Sequence, residues 1–141
     1  MNEQRVASFL ALAEEDLAAC KQLMRQYPRQ CAFYLEQAAE KLLKAVLTVE
    51  AIVFTASHHQ LGALAALLPE EHLWRADLMA FDRFSSYATA FRYPTPGGGM
   101  PRLPGRDELE RGWREVRAVA AEIKDWSIER LAEKAGKGRG R

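Results

Sequence analysis

Two kinds of residue in this chain could handle protons or phosphate, and their spacing limits how. Histidine occurs only at His58, His59 and His72. Its pKa near neutrality makes it the side chain best suited to move a proton at working pH. His58 and His59 are adjacent, so they cannot share a helix face, and the i, i+4 metal pair is excluded. His59 lies at a helix start, where it is either a catalytic group or a hydrogen-bonding residue of that start. His72 follows Pro69 closely and is expected to be exposed. Arg92, Tyr93 and Pro94 stand at the mouth of a Gly/Pro-rich stretch, with Arg102 and Arg106 on its far side. Guanidinium groups hold phosphate as a two-pronged fork, a tyrosine ring stacks on a base, and glycine amides allow close approach. Those residues read as an anionic pocket for a nucleotide or RNA. They read also as structure, with Arg92 capping the last carbonyls of the preceding helix and Tyr93 and Pro94 anchoring the loop. Both readings stand at this point.

The remaining chemistry-bearing residues point to structure. Cys20 and Cys31 form no paired-cysteine motif, so neither zinc nor a disulfide framework is suggested, and both read as small buried hydrophobes. Glu14, Glu15 and Asp16 make a charged run, which reads as a solvated face. No metal site and no cofactor is expected. The chain has 141 residues, 48% hydrophobic and 28% charged, with a formal charge of +1. That suits one domain able to bury its own core. Near-neutrality excludes a protein that coats long nucleic acid by bulk charge and leaves room for a local basic cleft. Acids interrupt the apolar pattern at the N-terminus, so no signal peptide is read there. No later run is long enough to span a bilayer, and a cytoplasmic protein with no membrane contact is expected.

Helices must position these residues. Val6, Phe9, Leu10, Ala13, Leu17, Cys20 and Met24 share a face of a first helix predicted over Asn2 to Tyr27, ended by Pro28. A central helix is predicted from Arg29–Ala32 to about Phe54, antiparallel to the first. Leu35, Ala38, Ala39, Leu42, Val46 and Val49 form its buried face, and Glu36, Gln37, Glu40, Lys41, Lys44 and Thr48 fall largely opposite. Phe33 and Leu47, with Leu43 on the flank, break the pattern as a second apolar strip. That strip packs either under a neighbouring helix or across the seam of a homodimer. Ser57 is the expected N-cap of a short third helix carrying Leu61, Leu64, Leu67 and Leu68. A fourth helix over Glu70 to Phe91 carries Leu73, Ala80, Phe84, Tyr87 and Phe91 toward the core. Arg92 to Arg106 is a loop. Asp107 and Glu110 start a last helix to about Lys134, with Leu109, Trp113, Val116, Ala120 and Ile123 buried. Residues 136–141 read as a disordered basic tail with Lys137, Arg139 and Arg141, which would add to nucleic-acid binding at low salt. The expected fold is an all-α antiparallel bundle over residues 1–135, with four longer helices and one short one.

Four blocks resemble the HEPN family of helical domains. Ala13 to Leu23, with its Asp16-Leu17 pair, is similar to its first helix, and this resemblance implies a bond from Asp16 toward the central helix as the alternative to a solvated face. Phe33 to Leu47, an aromatic followed by Gln-Ala-Ala-Glu-Lys and then Leu-Lys-Ala, resembles its most recognisable segment. His59-Gln60-Leu61 with Leu64 resembles the turn into its third helix, and Phe91-Arg92-Tyr93-Pro94 the end of its fourth. The resemblance implies a helical bundle, commonly homodimeric through the central helices, and a frequent nucleotidyltransferase partner in toxin–antitoxin pairs. Several branches are metal-independent ribonucleases that use an Arg and a His separated by four to six residues, paired across the dimer so that two copies make one site. No Arg stands at that distance before His58, His59 or His72, and Arg92 is followed by Tyr-Pro-Thr-Pro and glycines. The resemblance without that motif implies a module that binds nucleotide or RNA or joins a nucleotidyltransferase. Two alternatives remain: a ribonuclease with a non-standard site at Arg92, Tyr93 and His59, and a helical interaction protein with no nucleotide affinity.

Overall fold

The computed structural model describes residues 2–55 and 60–139, with side chains as far as residue 137. Ser57, His58 and His59 lie outside the described residues, and with them the expected cap and the histidine half of any site at Arg92. All regular structure among the described residues is helical. Helices α1 (Asn2–Leu23) and α2 (Pro28–Val49) form an antiparallel hairpin. After a short α3 (Leu61–Ala65), α4 (Arg75–Ala80) runs directly into a 3-10 helix (Phe81–Ala88), and α5 (Arg106–Arg139) closes the bundle. No described helix is long and apolar enough to cross a membrane.

Both hairpin helices end earlier than periodicity suggests. The chain turns after Leu23, where Tyr27 N–H donates to the Leu23 carbonyl at 2.7 Å, and Pro28 occupies the first turn of α2. Its fixed φ suits that position and its missing N–H costs nothing there. At the other end Ala51 takes a left-handed φ of 57°. Ala51 N–H bonds to the Thr48 carbonyl and Ile52 N–H to the Leu47 carbonyl, at 3.1 and 2.9 Å. This is the closure usually made by glycine, and alanine carries no sequence signal for it.

The fourth segment also differs. It begins at Arg75, so Leu73 is 68% exposed and Ala80 faces solvent, and Trp74 and Leu78 take the buried places. Its second half winds as a 3-10 helix, in which residues three apart eclipse one another. Phe81, Phe84 and Tyr87 have that period, and with Phe91 their rings follow one another, mutually tilted, at centroid distances of 5.8, 5.5 and 5.3 Å. At the far end α5 continues as helix through Arg139, past the predicted stop near Lys134. A glycine at a helix end costs only about 1 kcal/mol.

The core draws on every helix. Leu35, Ala38, Ala39, Leu42 and Val46 of α2 are fully enclosed, facing Val6, Ala13 and Cys20 of α1 and Leu109, Val116 and Ile123 of α5. The Cys20 and Cys31 thiols lie 2.6 Å apart across the hairpin, both buried. Their mutual hydrogen bond and their burial push the Cys20 thiol up. At Gly112 an added Cβ would stand 3.0 Å from Leu35 and Phe84, so glycine lets α5 approach α2 closely. Leu43 and Leu47 are 0% exposed within the single chain. They pack in the subunit's own core and are not seam residues between copies; of the three, only Phe33 keeps exposed surface.

Candidate functional site

Two stretches of the chain carry cations and no acid. Leu17 to Leu35 holds Lys21, Arg25 and Arg29, and Arg83 to Arg106 holds Arg83, Arg92, Arg102 and Arg106. The fold joins them at one end of the bundle. Arg29, in the first turn of α2, donates through Nη1 to the Phe91 carbonyl. Arg92 lays its guanidinium 4.8 Å from the centre of the Phe33 ring and 6.0 Å from that of Tyr93. The capping anticipated for Arg92 is therefore done by Arg29. No carboxylate among the described residues pairs with Arg92, whereas Arg83 is taken up by Glu115. Tyr93 is 64% exposed, so its ring is open to a stacking partner.

The loop is more ordered than its composition suggests. Thr95 N–H donates to the Gly99 carbonyl and Gly98 N–H to the Thr95 carbonyl, at 2.9 and 2.8 Å, and Gly99 N–H to Thr95 Oγ1 at 3.1 Å. Gly98 has φ 87°, which only glycine adopts without strain. The amides of Gly98 and Gly99 are thus used inside the turn and are not offered to phosphate. Pro94, Arg102 and Arg106 are exposed, and no hydrogen bond or ion pair among the described residues joins them to Arg92. The structure brings together Arg92, Tyr93, Phe33 and Arg29 and leaves Arg102 and Arg106 on the far limb of the loop.

One turn beyond Phe33, α2 buries a carboxyl that the polar-face assignment missed. Glu36 is 1% exposed. Burial, and next the neighbouring Glu40 charge, push its pKa up to about 7; a 2.8 Å hydrogen bond from Gln37 and the charges of Lys41 and Lys44 offset part of this. Its position was readable, because Glu36 lies between Phe33 and Leu43 on the second apolar strip. On the flank of α2, Lys41 is bound to Asp16 of α1, as the interhelical reading of Asp16 anticipated.

The other end of α2 is built differently. Glu50 accepts from His72 Nε2 at 2.7 Å, Arg130 Nε at 3.1 Å and Lys134 Nζ at 3.0 Å. Burial alone would raise its pKa, but the bonds from Lys134, His72 and Arg130 outweigh it and hold the carboxylate below its usual range. His72 Nδ1 accepts from Trp74 N–H at 3.1 Å, and its ring meets the Trp126 edge at 5.6 Å. His72, expected to be exposed, is a tightly partnered residue of this cluster because the α2 end and α5 enclose it. Among the described residues no group of His, Cys, Asp and Glu could hold a metal.

The family model for the HEPN domain matches residues 6–131. No curated protein and no solved structure matches the chain.

Proposed function

The chain belongs to the HEPN domain family, and we propose that it binds the phosphates of a nucleotide or RNA at the basic end of its bundle, without cleaving them. The observation that carries this is the meeting of two acid-free segments at Arg29–Phe91 and Arg92–Phe33. Phe33 backs one face of the Arg92 guanidinium and orients it, while its edge remains available to an anion. Tyr93 beside it offers a base-stacking surface, which makes a nucleotide a better fit than phosphate alone. Among the described residues, which do not include His58 and His59, no group that would supply acid–base catalysis is found with it. His72 is bound at the opposite end by Glu50, and Glu36 is enclosed with Gln37. Arg29, Arg92 and Tyr93 form the centre of the site, and Arg102 and Arg106 reach the ligand from the far limb of the loop.

The resemblance of the α2 block also supports a homodimer and a nucleotidyltransferase partner. With Leu43 and Leu47 in the core, the seam would use Phe33 and other exposed residues. Light scattering of the purified chain and co-purification with a co-expressed nucleotidyltransferase test those two points.

The direct test is metal-free titration of AMP, ATP and a short RNA against the purified chain, read by melting temperature and fluorescence anisotropy. Bound ligand raises the melting temperature by mass action, and Arg92→Ala is expected to abolish the rise. A wild-type chain that shifts with none of them supports the plain interaction protein. RNA cleavage that disappears in a folded Arg92→Ala chain makes it a ribonuclease.

A further inference from the structure

We infer that a second phosphate-binding groove runs between α1 and α5 toward the Arg92 end, so that the ligand is a single strand several nucleotides long and not a free mononucleotide. This rests on the RNA reading of the basic end and extends it. The groove has a volume of about 480 Å³ and is lined by Leu17, Ala18 and Lys21 of α1 and by Trp113, Arg117 and Ala120 of α5. The small side chains leave it open. Trp113 is fixed at its wall, its indole N–H donating to the Leu17 carbonyl at 2.8 Å. Lys21 Nζ and the Arg117 guanidinium lie 5.0 and 5.2 Å from the centre of that ring. Two cations thus converge on one aromatic wall, and neither is in an ion pair with a carboxylate among the described residues. A phosphate between them relieves the repulsion that the bare groove carries. Glu14 is the carboxylate among the lining residues, and it faces Lys124 at 3.6 Å.

Lys21 also lines the adjoining groove, with Gln22, Arg25 and Gln26, of about 620 Å³. That groove runs to the α1–α2 turn, beyond which stand Arg29 and, through Phe91 and Phe33, Arg92. The order Arg117, Lys21, Arg25, Arg29, Arg92 makes a cationic track with an aromatic ring at each end, Trp113 and Tyr93. Single strands are held by this combination of a basic groove and aromatic platforms. A mononucleotide has no use for its length.

The test compares AMP with an oligouridylate of about twelve nucleotides, near the site size of single-strand grooves, on the full chain. The variants are Lys21→Gln with Arg117→Gln, and Arg92→Ala. The wild type is expected to bind the oligomer far more tightly than AMP. The double variant loses on the order of tenfold for the oligomer, flattens its salt dependence by about 1.4 in log–log slope, and leaves AMP binding unchanged. Unaltered melting in the absence of ligand shows that the double variant is folded. If the double variant binds the oligomer as the wild type does, or loses AMP to the same extent, the track is refuted while the Arg92 site stands. If the wild type binds neither, the Arg92 site fails and the track with it.

Discussion

The two ends of α2 use the same residue types to opposite effect. At its C-terminal end one carboxylate, Glu50, collects His72, Arg130 and Lys134 and ties the end of α2 to α5 and to the segment before α4. At its N-terminal end Arg29 and Arg92 meet a carbonyl and an aromatic ring, and no carboxylate among the described residues answers them. Charge at the first end is consumed in holding the fold together. At the second it faces solvent, unpaired by any carboxylate among the described residues. Glu36 sharpens the contrast: enclosed one turn beyond Phe33, it carries no ion pair among the described residues, and burial pushes its pKa up to about 7.

The largest effect should come from breaking the Glu50 end. Glu50→Ala leaves His72 and Lys134 without this acceptor and Arg130 with Glu133 alone, 3.4 Å away. Since Arg130 and Lys134 keep about a third of their side-chain surface in water, the expected cost lies between the exposed and buried limits, about 2–3 kcal/mol by urea unfolding at pH 7. A cost under about 0.5 kcal/mol, the level of an ordinary surface change, would erase the contrast between the ends.

Next comes pH, with opposite signs for the two carboxyls. Glu36 has a native pKa of about 7 above its ordinary 4.5. Its native form therefore binds the proton more tightly than the unfolded chain does. The associated stability is complete below about 4.5 and is lost as pH rises through about 7. Glu36→Gln should be more stable than wild type at pH 8, by at most about 3 kcal/mol, and indistinguishable from it near pH 4. Glu50, whose pKa is lowered, contributes above its unfolded value of 4.5 and loses that contribution as pH falls through its native value. The Glu50→Ala deficit should accordingly shrink in acid. Melting curves of both variants from pH 4 to pH 8 check the two signs together.

The smallest stability effect belongs to the basic end. Arg92→Ala removes a half-solvated cation–π contact and should cost no more than about 1 kcal/mol, while nucleotide or RNA binding disappears. A cost equal to that of Glu50→Ala would make Arg92 a structural residue.

Much of this molecule follows from local pattern. The apolar periods over Val6–Met24, Leu35–Val49 and Leu109–Ile123 decide three helices and the faces that they bury, because side chains three and four apart on a helix share a side whatever lies beyond it. The Phe81, Phe84, Tyr87 spacing fits one face of either helix type, so the tighter winding of its segment comes from the packing. Charge order decides as much: with no acid from Leu17 to Leu35 or from Arg83 to Arg106, the cations inside those stretches, Lys21, Arg25, Arg29, Arg92 and Arg102, have no acid close by in sequence. What the chain order leaves open is which distant groups meet. Leu43 and Leu47 become core because other helices cover their strip, and Glu36, on the same strip, is buried with them. His72 gains Glu50 across 22 residues, and Arg29 takes the Phe91 carbonyl across 62, leaving Arg92 to Phe33. Local residues determine helix and charge at short range; only packing determines which charge is answered and which faces solvent for a ligand.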